Sequence, residues 1–130
     1  MEKGFPEVIA WADVFHEDGK TELNSIAHYQ DIHKLFVRLH LHNITPFKKY
    51  LITIEFFKSD NLDKSIYDGI SELSLGADDV IYLGSDFNII SLELETNPTI
   101  NLSGHYKLLI TLMDENRHKL SDFQYYYYFS

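Results

Sequence analysis

Lys34-Leu35-Phe36-Val37-Arg38-Leu39-His40-Leu41-His42 decides the fold class. Leu35, Val37, Leu39 and Leu41 fall on one side of an extended chain, and Phe36, Arg38, His40 and His42 on the other. Successive side chains of a strand point to opposite faces, so this run has one core face and one outward face. Asn43-Ile44-Thr45-Pro46 ends it, because Pro has no amide hydrogen to give to a ladder. Outward from there, Tyr50, Ile52, Ile54 and Phe56 alternate with Leu51, Thr53, Glu55 and Phe57, and Phe87 to Glu95 alternates through Ile90, Leu92 and Leu94. Val8 to Phe15 sets Val8, Ala10, Ala12 and Val14 against Ile9, Trp11, Asp13 and Phe15. Asp18-Gly19 then reads as a hairpin turn, from which Thr21 to Tyr29 returns as the second strand. Residues 59 to 86 admit one short helix, from the spacing of Ile66, Ile70 and Leu73, or an edge strand, since Asp68-Gly69 interrupts and Leu73 and Leu75 alternate. Short strands recurring at spacings of roughly ten residues predict an all-β antiparallel sandwich of about seven to eight strands.

Composition bounds what such a fold does. The 130 residues suit a single domain, and 45% hydrophobic with 15% aromatic residues supply a core rather than a disordered chain. Twenty acidic against 11 basic side chains give a net charge of -9, which repels phosphate backbones and anionic lipid. Neither direct nucleic-acid binding nor membrane binding is expected. Absence of Cys excludes disulfides and cysteine zinc sites. Met1 to Glu7 lacks the basic and apolar regions of a secretory signal, so the expected location is cytoplasmic. The charge is uneven: Ser65 to Tyr106 contains no Lys or Arg but holds Asp68, Glu72, Asp78, Asp79, Asp86, Glu93 and Glu95.

Asn101-Leu102-Ser103-Gly104-His105-Tyr106-Lys107-Leu108 matches the tyrosine corner of immunoglobulin-like sandwiches, with Leu108 where an antibody domain has its second Cys. A strand Tyr106 to Leu112 would pair with Phe123 to Phe129 across the polar loop 114 to 122, as strands F and G. The Trp expected on strand C is absent from the third strand, which rules out a true antibody domain. With its opening strand through Trp11-Ala12-Asp13-Val14, a Gly-containing hairpin and a closing Gly-x-Tyr strand, the chain resembles short bacterial immunoglobulin-like β-sandwich domains of unknown function. That resemblance implies a fold and no activity.

If the third, F and G strands share a sheet, their outer face carries Phe36, Arg38, His40, His42, Leu109, Met113, Tyr126 and Tyr128. This is more apolar and aromatic than a solvent face needs, and aromatics, Met and Arg are the types enriched at protein interfaces. The expected function is therefore a non-catalytic protein-interaction module that binds a protein partner or itself, as a homodimer. Cover by residues 59 to 86 is the plainer reading of the same face. The alternative function is an acidic decoy acting through residues 68 to 95, similar to phage-type inhibitors that mimic nucleic acid. His40 and His42 have metal-site spacing but lack a third ligand, and Asp78, Asp79 and Asp86 lack the alternation of a calcium loop. No metal, cofactor or catalytic residue is expected. No Gly-x-Ser-x-Gly elbow or phosphate loop occurs, and Gly104-His105-Tyr106 reads as turn and corner.

Overall fold

A computed structural model describes residues 5–15, 17, 26–27, 33–84, 87–99 and 104–129. The strands are β1 (Val8–Phe15), β2 (Ile26–Ala27), β3 (Leu35–His42), β4 (Lys49–Lys58), β5 (Tyr67–Ser74), β6 (Ile81–Tyr82), β7 (Asn88–Thr96), β8 (Gly104–Asp114) and β9 (Lys119–Phe129). They form two sheets, ordered β1-β3-β7-β6 and β2-β9-β8-β4-β5. Pairing is antiparallel except where β2 lies parallel to the end of β9. This is an immunoglobulin-like β-sandwich, with β1, β3, β7 and β6 in the places of strands A, B, E and D, and β9, β8 and β4 in those of G, F and C.

In β3, β4 and β8 alternation placed the core correctly. Leu35, Val37, Leu39 and Leu41 are fully buried, and they meet Tyr50, Ile52, Ile54 and Phe56 of β4 and Tyr106, Leu108, Ile110 and Leu112 of β8. Two buried polar residues secure the ends of β7. Asn88 Nδ2 donates to the Ile44 carbonyl (2.9 Å), and Ile44 N donates to Asn88 Oδ1 (3.0 Å). Thr96 Oγ1 donates to the Leu35 carbonyl at 2.9 Å.

Three expectations need correction. The third strand is strand B rather than C: β3 lies between β1 and β7, so it does not share a sheet with β8 and β9. The expected Thr21 to Tyr29 strand, counted as B, is described only at Ile26–Ala27, which pairs with β9 instead of returning against β1; the Asp18-Gly19 turn lies outside the described residues. In β1 a bulge between Ile9 and Trp11 breaks the alternation, turning Ile9 inward with Ala12 and Val14 and leaving Trp11 and Asp13 outward.

The remaining elements agree with the sequence more closely. Residues 59 to 86 supply the edge strand β5, one short 3-10 turn (Ala77–Asp79) and β6. β9 begins at Lys119, ahead of the expected Phe123, because Asp114 organises a tight turn in which Asn116 N and His118 N both donate to Asp114 Oδ1 at 2.9 Å. These backbone donors, His118 first, hold the Asp114 carboxyl below its usual range. Tyr106 is buried as a corner tyrosine should be, and Gly104 takes φ 136°, while turn residues 101 to 103 lie outside the described residues.

Candidate functional site

The sheet β9-β8-β4-β5 presents a broad outer face whose rows follow from register. Tyr128 lies beside His105, and Tyr126 beside Lys107 and Phe57. Next come Gln124, Leu109, Glu55 and Asp68, then Asp122, Thr111, Thr53 and Ile70. Tyr126 is 62% exposed, Ile70 52% and Tyr128 38%. The His105 and Tyr128 rings are 4.9 Å apart, and Lys107 Nζ sits 5.2 Å from the Phe57 ring, which it keeps largely covered. A groove of about 480 Å³ opens on this face, lined by Thr53, Glu55, Asp68, Gly69, Ile70, Thr111, Met113 and Arg117. β5 aligns with β4 from Tyr67 to Ser74 without a register shift, so this strand widens the face instead of covering it.

Only half of the sequence-derived surface is here. Leu109, Met113, Tyr126 and Tyr128 lie on this face, whereas Phe36, Arg38, His40 and His42 stand on the outer face of the opposite sheet. There Arg38, His40 and His42 are engaged. Arg38 Nη2 donates to Glu93 Oε2 at 3.2 Å and its guanidinium lies 4.5 Å from the Phe15 ring centroid. His42 packs against Phe87 at 5.1 Å. His40 Nδ1 is 2.8 Å from Ser91 Oγ and its Nε2 is 3.3 Å from Asp13 Oδ2, while Trp11 Nε1 donates to Asp13 Oδ1 at 2.7 Å. This chain of Ser, His and Asp ties β7, β3 and β1 together and occupies both nitrogens of the imidazole that the metal reading needed. Among the described residues no group of three or more His, Cys, Asp or Glu could hold a metal ion. The Trp11-to-Asp13 contact was missed in the sequence although the two residues stand two apart on one strand face.

The acidic segment also divides between the sheets. Glu93 and Glu95 are on the β3 side, 3.2 Å from Arg38 and 3.9 Å from Lys34. Asp68 and Glu72 lie on β5, and Asp86 is outside the described residues. Asp68 stands directly opposite Glu55, and among the described residues neither has an ion pair; Ser65 Oγ donates to Asp68 Oδ2 at 3.3 Å. At the seam of the sandwich, Lys48 Nζ is 3.0 Å from Glu7 Oε2, and the Tyr50 hydroxyl donates to the same carboxylate. Burial, reinforced by that bond, pushes the Tyr50 phenol up to about 12.

The fold occurs in solved structures. The chain shares its β-sandwich with a bacterial adhesin from Mobiluncus mulieris described as containing intramolecular disulfide, isopeptide and ester bond cross-links. In one crystal form the TM-score is 0.67 at 6% identity, over 97% of this chain and 58% of the adhesin chain. A second crystal form gives 0.66 at 8% identity, over 92% and 53%. This chain thus spans a little over half of each adhesin chain. No protein-family model matches the sequence, and no curated protein matches it.

Proposed function

We propose that this domain is a non-catalytic protein-interaction module that meets its partner through the outer face of the β9-β8-β4-β5 sheet. One observation carries the reading: Leu109, Met113, Ile70, Tyr126 and Tyr128 stand together on a face where an antiparallel sheet usually carries polar side chains, and no described segment covers them. On the opposite outer face Arg38, His40, His42 and Trp11 have partners within the chain, although Trp11 is still 52% exposed. Tyr presents a rigid ring and a hydroxyl to a partner at low entropic cost, which favours Tyr126 and Tyr128 as anchors. The adhesin likeness supplies a fold of the kind that serves such contacts.

Photocrosslinking tests this. A benzophenone side chain at position 126, and separately at position 93 on the opposite face, is irradiated in extract of the source cells. Adducts from 126 and none from 93 are expected, and an adduct of twice the chain mass would identify the partner as a second copy. Adducts from 93 alone would overturn the assignment.

A further inference from the structure

The two sheets guard their edges differently. In β1-β3-β7-β6, one edge carries the β1 bulge and the other is the two-residue β6. In the second sheet, β2 pairs with β9 only at Tyr128 and Phe129, and the rest of that edge opens with Lys119 and takes the Ile9 amide on Ser121 Oγ at 3.0 Å. The remaining edge, β5, is eight residues long and has no bulge, Pro, Lys or Arg, and no described residue pairs with its far side. Short strands, bulges, Pro and charged side chains, Lys above all, are the usual means of keeping another chain from adding to a sheet, and of these β5 has only the carboxylates of Asp68 and Glu72, which a basic segment would neutralise.

From this edge we infer that the domain binds an extended protein segment as an additional strand beside β5, with basic residues flanking an apolar one at alternate positions. The register dictates the pattern. Asp68, Ile70 and Glu72 project from β5 onto the outer face, so a neighbouring strand sets its same-face residues opposite a carboxylate, an apolar side chain and a carboxylate. Like charges directly across a ladder are unfavourable, and Asp68 already faces Glu55 with no cation paired to either among the described residues. A Lys or Arg opposite Asp68 would lie one strand spacing from Asp68 and about 10 Å from the β4 backbone, within reach of the groove that holds Glu55. A second copy fits poorly. In-plane pairing of β5 with itself gathers two Asp68 and two Glu72 carboxylates on one strip. The inference narrows the protein-binding reading to a partner chemistry and uses the edge rather than the tyrosines, so the two can fail separately.

Two synthetic peptides form the test: one repeating Lys-Thr-Val-Thr, so that Lys and Val alternate along one face of the strand, and one of the same charge interrupted by Pro, which cannot complete a ladder. Amide hydrogen exchange of the full chain is expected to slow within residues 67 to 74 with the alternating peptide only. The exposed double change Asp68→Lys, Glu72→Lys should weaken that binding about tenfold or more, because each pairing turns from attractive to repulsive. Tyr126→Ser with Tyr128→Ser should leave it unaltered. Equal binding of both peptides would reduce the effect to plain charge attraction and overturn the inference. Protection on β9 with loss in the tyrosine variant would also overturn it, while leaving the tyrosine face intact as the binding surface.

Discussion

The two outer faces of this sandwich start from similar side chains and reach different ends. On the β1-β3-β7-β6 face, Arg38 bridges Phe15 and Glu93, and Trp11, Asp13, His40 and Ser91 form a continuous polar chain across three strands. On the β9-β8-β4-β5 face, Ile70, Tyr126 and Tyr128 are exposed and Glu55 confronts Asp68. What separates the engaged face from the one proposed to bind is therefore not composition but how far neighbouring strands bring complementary groups into the same row. On the first face register joins three strands in this way, whereas on the second it pairs His105 with Tyr128 and Lys107 with Phe57 but leaves Glu55 opposite Asp68 and Ile70 and Tyr126 exposed.

The largest test asks whether the faces share one stability. Leu39→Ala, at a fully buried position in β3, should cost about 2 to 5 kcal/mol, and in urea Trp11 fluorescence and far-ultraviolet dichroism should lose the fold in one coincident transition. Separate transitions would mean that the sheets are not one cooperative unit and that the comparison joins unlike bodies. Asp13→Ala removes the acceptor for Trp11 and His40, and should cost about 1 to 2 kcal/mol by urea titration. A change no larger than that of Tyr126→Ser, expected within about 0.5 kcal/mol as at other exposed sites, would erase the distinction between the faces. The smallest effect has the opposite sign. Glu55→Gln relieves the confrontation with Asp68 and should stabilise by a few tenths, about 0.2 to 0.5 kcal/mol, seen as a small rise in Tm. A fall in Tm would show that the pair is already neutralised.

Much of this was legible in the sequence because a strand's alternation is a local property. Leu35 to Leu41 and Tyr50 to Phe56 were assigned to the core from spacing alone, and the hairpin of β8 and β9 followed from Gly104, Tyr106 and the polar loop at 114. The outward direction of Tyr126 and Tyr128 followed in the same way. The bulge in β1 was not legible, since Val8 to Phe15 is apolar on both sides and either phase satisfied the pattern. Nor was the split of the expected surface. Counting Thr21 to Tyr29 as a full strand moved β3 one place along, from B to C, and carried Phe36, Arg38, His40 and His42 onto the wrong sheet.

For β3, β4, β7, β8 and β9 the sequence by itself determined that they are strands and which side of each seeks the core, and it made the chain an acidic, cysteine-free sandwich. Only the tertiary structure decided which strands are neighbours, and with it that His40 is tied to Asp13 and Ser91, that Glu55 meets Asp68, and that β5 ends a sheet unpaired among the described residues. The reason is physical. Alternation is set by backbone geometry within a few residues, whereas ladder partners are chosen among strands far apart in the chain by how all their faces close over one core.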